Sequence, residues 1–165
     1  MAHVNTIEHL FVEELKDLYS AETQITKTLP KLVEAATSPA LKSAFEHHLK
    51  ETEGQIERLD KAFKILGTSP KGKTCDGMKG ILSEGAEVLH ETSAGDIRDA
   101  AIISAAQRVE HYEMAGYGSV RAYAEQLDQK ENAKLLQETL EEEKAADKKL
   151  TEIAQTVNSR ALRAA

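Results

Sequence analysis

Apolar residues recur at three- and four-residue steps along four long stretches of the chain, the spacing that turns one side of an α-helix toward a core. In the first stretch Phe11, Leu15, Leu18, Ile25, Leu29 and Leu32 form a stripe broken only by Glu22. It predicts a helix from Ile7 to about Ala36, with Asn5 and Glu8 as a capping box. Pro30 falls inside it and is expected to bend it or mark a local irregularity. Ser38-Pro39 then restarts the pattern as a capping residue followed by proline at the first helical position. The second helix is expected over about 39–66, with Leu41, Phe45, His48, Thr52, Gln55, Leu59, Ala62 and Leu66 inward. Glu51 lies beside that stripe, one turn before Gln55.

Glycines at 67, 72, 77, 80, 85 and 95 interrupt the periodicity, leaving room for one helix over about 76–91. Asp96 is the expected cap of a third long helix, about 97–127, with Ile103, Ala106, Glu110, Glu113, Tyr117, Val120, Ala124 and Leu127 on one face. Asp128 with Glu131 reads as a further capping box. It opens a last helix over about 130–158 whose stripe is Leu136, Leu140, Glu143, Asp147, Leu150, Ala154 and Val157. Ser159 to Ala165 is expected to fray. The short connections imply two antiparallel hairpins, and the connection of about thirty residues between them lets the second start at the far end of the first. That is an all-α four-helix bundle with one long crossover containing a short extra helix, the arrangement of ferritin-like folds.

Composition agrees. The 165 residues are 41% hydrophobic but only 4% aromatic, with Pro and Gly scarce, which suits a single all-α domain. A net charge of −7 and the absence of a basic run argue against nucleic acid as a partner. One cysteine, no basic-then-apolar leader and no stretch near the roughly 20 apolar residues of a membrane span point to a cytoplasmic protein. Gly67 to Thr74 formally satisfies a phosphate-binding GxxxxGKT pattern, but it follows a helix rather than a strand and carries no weight.

The chemistry lies in the exceptions to the apolar stripes. Glu22, Glu51, Glu110 with Glu113, and Glu143 with Asp147 sit at mid-length on, or beside, the inward faces of four different helices. Counted from the hairpin turns, they fall within about one or two helical turns of a common level. Carboxylates cannot share one dry site as anions without cations between them, and two bridged metal ions, iron or manganese, would satisfy them. Gln55 or Asp147 could complete the shell. A heptad-position glutamate taken alone is more often a boundary residue reaching water, and Glu138, Glu141 and Glu142 are read that way. His48 lies on the inward stripe either as a ligand or, the favoured reading, as a hydrogen-bonded core histidine. His111 points off the stripe, Tyr112 and Tyr117 either pack or flank the site, and Cys75 on its loop receives no role.

Four segments carry a family resemblance: Asp17 to Glu22, His48 to Arg58, Val109 to Glu113 with Tyr117-Gly118, and Leu140 to Ala145. With one of them in each long helix, the chain resembles the YciE/YciF family of ferritin-like proteins over almost its whole length. The resemblance implies a homodimer associated with bacterial stress responses and a di-metal centre between the helices. Broader ferritin-like proteins carry Glu-x-x-His on two helices. Here Glu51 is followed three residues on by Gly54 and Glu143 by Ala146, so an imidazole-free, oxygen-rich site is expected. The expected activity is oxidation of Fe(II) by oxygen or peroxide. A helical dimer acting through its surfaces, with a vestigial or stabilising metal site, is the alternative. An iron-storing shell or DNA compaction is a weaker third.

Overall fold

The computed structural model describes residues 4–163, and among them only helices, turns and loops occur. The helices are α1 (Ile7–Ala35), α2 (Pro39–Leu66), α3 (Asp76–Glu91), α4 (Asp96–Gln126) and α5 (Lys130–Arg163). At 1.5 Å per residue the four long ones run on the order of 40–50 Å.

The helix ends show where local signals compete. Thr6, not Asn5, caps α1, its hydroxyl accepting the His9 amide at 3.2 Å. α1 continues unbroken through Pro30, which is exposed, so the donor that proline lacks is missing on the face where water can serve the freed carbonyl. Ser38 and Pro39 start α2 as expected, although the Ser38 side chain makes no capping bond. The buried Asp99 carboxylate instead accepts the backbone amides of Thr37 and Ser38, both at 2.7 Å. Gly95, not Asp96, caps α4 at φ 137, a conformation that favours glycine, while Asp96 is already helical and accepts from Arg160 at 2.8 Å. Asp128 stands at φ 55 in the left-handed region, where it turns the chain between α4 and α5 and opens no capping box. α5 extends past Asn158 to Arg163, held by the burial of Val157 and Ala161 and by the Arg160–Asp96 pair. The expected fraying of 159–163 is therefore not seen, and Ala164 and Ala165 lie outside the described residues.

α1 packs on α2 and α4 on α5, and the α2–α5 and α1–α4 contacts close the ring. The bond from Asp99 to the α1–α2 turn sets the direction, because it puts the start of α4 beside that turn. Every adjacent pair in the ring is then antiparallel, and the crossover carrying α3 must climb from the end of α2 to the start of α4. α3 lies over α1 and α4. Its first turn is tied to α1 by Ser20, which accepts the Cys75 amide at 2.9 Å, and by Gln24, which donates to the Cys75 carbonyl at 3.1 Å. Cys75 is the N-cap of α3, fully buried, with its sulfur accepting the Met78 amide at 3.3 Å and lying 3.0 Å from the Tyr112 hydroxyl. That is a structural role the sequence did not suggest. Where α1 and α4 approach closely, a Cβ on Gly116 would meet Leu18 at 2.7 Å.

The apolar interior is split in two. One cluster gathers Ile25, Leu29, Leu41, Phe45, Ile103 and Leu150, and the other Phe11, Leu15, Leu59, Phe63, Tyr117 and Leu136. Between them, in sequence on every long helix, lie the buried polar residues Glu22, His48, Thr52, Gln55, Glu110, Glu113 and Glu143. The bundle is built around that layer.

Candidate metal centre

Each long helix brings its polar residue inward by keeping it on the apolar stripe. Glu22 sits between Leu18 and Ile25 on α1, His48 follows Phe45 on α2, Glu110 and Glu113 precede Tyr117 on α4, and Glu143 follows Leu140 on α5, all of them buried. His48, Glu110, Glu113 and Glu143 each offer one ligand-type atom within 4.8 Å of the others. His48 Nε2 is 3.3 Å from Glu110 Oε1 and 4.0 Å from Glu143 Oε2. Glu22 adjoins them, interacting with both Glu113 and Glu143. Its Oε1 accepts a 2.5 Å hydrogen bond from the Tyr117 hydroxyl.

The layer is short of donors. Glu22 Oε2, Glu110 Oε2, both carboxylate oxygens of Glu113, both of Glu143 and both ring nitrogens of His48 are buried without a hydrogen-bond partner. An uncompensated buried carboxylate is costly, so these groups must either take up protons or meet cations. Burial first, and then repulsion from Glu143, pushes the carboxyls of Glu22, Glu110 and Glu113 well above the usual range. Glu143 is also raised by burial, less steeply, because its contacts with Glu110 and His48 favour its charged form. Burial and the neighbouring Glu22 likewise hold the Tyr117 hydroxyl in its neutral form.

The remaining expected residues fall outside this group. Glu51 stands at the edge, its Oε2 3.1 Å from His47 Nδ1 and 3.6 Å from His48 Nδ1. Burial raises its pKa, but contacts with His48 and His47 outweigh that and leave it lowered. Gln55 is fully buried, donates to Glu142 Oε2 at 3.1 Å, adjoins Glu143 and keeps its own Oε1 unpartnered. Asp147 is not brought in. Four residues beyond Glu143 is about 40° past a full turn, which carries it to the outer α4–α5 edge, where its Oδ1 accepts from Gln107 at 3.0 Å. His111, exposed as expected, lies 3.4 Å from that oxygen.

Two side chains depart from the expectation. His48 joins the carboxylates, so the cluster is not free of imidazole, and as a core histidine it would be unpaired at both nitrogens. The signal was its place on the inward stripe three residues before Glu51, the reverse of Glu-x-x-His order. Glu142 is not a solvated residue of an acidic run, because it makes a two-pronged contact with Arg58 and accepts from Gln55. Glu138 and Glu141 are exposed, as read.

The cluster is reached from outside by a cleft of about 430 Å³ between α2 and α5, with His48, Glu51 and Glu110 in its lining. No helix in the described residues is long and apolar enough to cross a membrane.

An all-helical bundle with a buried His/Glu cluster that could hold a metal ion is the class that fold and site define. The chain belongs to the family described as Domain of unknown function (DUF892), whose model matches residues 6–162. It is 48% identical over 161 residues to Protein YciF of Escherichia coli (strain K12), covering 96% of this chain and 97% of that one. The crystal structure of the E. coli stress protein YciF superposes with a TM-score of 0.91 at 47% identity, over 94% of this chain and 99% of that chain. YcfI from Rhodopseudomonas palustris, provisionally described as a structural protein, gives a TM-score of 0.87 at 45% identity, covering 90% and 94% of the two chains.

Proposed function

We propose that this is a ferritin-like di-metal carboxylate protein of a bacterial stress response, with oxidation of Fe(II) by oxygen or peroxide as its activity. One observation carries the reading: four helices deliver five buried ligand-type side chains to one layer and leave most of their donor atoms without partners. Glu22, Glu110, Glu113, Glu143 and His48 would hold two ions, and this mixed carboxylate and imidazole set suits iron or manganese. Iron bound there would supply one-electron redox chemistry toward oxygen or peroxide.

The chain's own contribution is to bind, orient and exclude water. Tyr117 fixes one oxygen of Glu22 and leaves the other free to ligate. The apolar clusters on either side shield the layer from water except at the α2–α5 cleft, which strengthens the charge interactions in it. Glu51, half-buried at the cleft and kept in its charged form by His48 and His47, would present a negative charge to a cation entering from outside. The resemblance to the E. coli stress protein supports the stress assignment. A homodimer and a cytoplasmic location belong to the same proposal, and the net charge of −7 argues against nucleic acid as a partner. Metal analysis of protein purified without chelator, then loaded anaerobically with Fe(II), should give about two equivalents per chain. Less than half an equivalent after loading rules the reading out.

A second reading has its own support. Because the buried carboxyls are shifted toward their neutral forms, the layer could fold metal-free as protonated acids, and the protein would then work through its surfaces. Intact partner binding by a Glu22→Gln/Glu143→Gln variant that holds no metal would favour it.

A further inference from the structure

The α2–α5 cleft is larger and more apolar than a path for metal or oxidant requires. A cavity of roughly 150 Å³ already holds benzene, and a water occupies about 30 Å³ of liquid, whereas this cleft offers about 430 Å³, within the range of small-molecule sites. Its walls are Ala44, Phe45, Ala146 and Leu150. Two buried polar side chains face it with atoms lacking partners, His48 at both ring nitrogens and Glu110 at Oε2. Its rim carries the opposite character, with exposed His47 and Lys149, the latter only loosely engaged with Glu152 at 3.9 Å. A hydrated Fe(II) ion would meet that ammonium unfavourably.

We infer that the cleft binds a medium-chain aliphatic carboxylate, its head at Lys149 and its chain directed inward toward His48 and Glu110. Charge fixes the orientation. The carboxylate is attracted at the rim and repelled by the charged Glu51 within, while the alkyl chain replaces water on the alanine, phenylalanine and leucine surface. Residue size matters too, because the alanines on both helices leave the width that larger side chains would close. The ligand's role at the oxidative centre rests on the metal reading above; the binding itself does not.

The test is calorimetric titration of the full chain, chelator-treated and Mn(II)-loaded, with sodium octanoate, 1-octanol and octylamine. Octanoate should bind more tightly than octanol, and octylamine most weakly. Ala146→Phe, which fills the cleft, should weaken octanoate at least tenfold with helix content and metal stoichiometry unchanged. Lys149→Glu should reverse the order of octanoate and octylamine. In Mn(II)-loaded protein the terminal methyl protons of octanoate should relax faster than those beside the carboxylate. Octanoate that fails to bind, binds no better than octylamine, or is indifferent to Ala146→Phe overturns the inference. So does a loss of dimer in Ala146→Phe without any octanoate binding, which would assign the cleft to a second copy of the chain. Failure of the metal reading looks different: no Mn(II) is taken up, while the chelator-treated titrations keep their order.

Discussion

His48 Nε2 on α2 stands 3.3 Å from Glu110 Oε1 on α4, and the imidazole has no other partner for that nitrogen than the carboxylates around it. A histidine kept for packing would be expected to satisfy at least one ring nitrogen. His48→Ala should therefore lower affinity for Mn(II) or Fe(II) by about tenfold or more, close to 1.4 kcal/mol. Asp147→Asn should stay within about twofold of the parent, since Asp147 is occupied by Gln107 away from the cluster. Metal titration of both variants checks the contrast, and equal losses would return Asp147 to the site.

Glu22 and Glu143 lie together in a layer with few donors, so the metal-free protein must either hold them as repelling anions or take up protons that the unfolded chain does not bind, and neutral isosteres should relieve it of both. Replacing buried charged groups by uncharged residues of similar volume can gain up to about 4 kcal/mol. At about 2–4 °C per kcal/mol for a chain of this size, chelator-treated Glu22→Gln/Glu143→Gln should melt several degrees above chelator-treated parent. Adding Mn(II) should raise the parent and leave the double variant where it was. Thermal scans with and without metal read both effects, and a double variant that melts lower without metal would mean that the charges are already compensated.

Asp99 governs the fold rather than the chemistry. Its carboxylate accepts the Thr37 and Ser38 amides at 2.7 Å each in a fully buried position and so joins the first hairpin turn to the start of α4. Hydrogen bonds to a charged group contribute about 1.5–3 kcal/mol each, and losing the acceptor leaves two amides unsatisfied. Asp99→Ala should cost about 3–5 kcal/mol in a denaturant titration, with metal stoichiometry of the folded fraction unchanged. A loss under about 1 kcal/mol would mean that water replaces the carboxylate.

The helices and the level of the carboxylates were legible because both depend on local periodicity. A stripe of Leu18, Glu22 and Ile25 admits only one inward face, and the hairpin turns set the heights. Helix ends were less legible, since Thr6 and Gly95 compete with neighbours of similar capping strength and the winner is set by tertiary contacts such as Arg160 with Asp96. The same holds within the site. Whether Asp147 or His48 reaches the cluster depends on helix rotation and on what faces each side chain across the bundle, and no single helix records that. Asp99 found its partners in the α1–α2 turn and Glu142 on another helix, at separations in sequence of 61 and 84 residues for Ser38 and Arg58. Spacing along one helix carries no trace of such pairings.

The last prediction concerns pH, for protein freed of metal by a chelator. Burial raises the carboxyls of Glu22, Glu110, Glu113 and Glu143 above the unfolded value near 4.5, so the folded chain holds protons that the unfolded chain releases. Stability then has a negative slope wherever the native state binds more protons. Their contribution is fully present below the unfolded pKa and is lost as pH rises toward the folded values. Glu51, whose pKa is lowered, works in the opposite sense, but in a window below about pH 4.5. Between pH 5 and 8 the chelator-treated protein should therefore show a melting temperature that falls with pH. With Mn(II) present the slope should flatten or reverse, because ligation displaces those protons and tightens as pH rises. Parallel thermal scans in the two conditions decide it. A chelator-treated profile that is level or rising would mean the four carboxyls are ionised in the folded chain, and the electrostatic argument for cations in this layer would lose its footing.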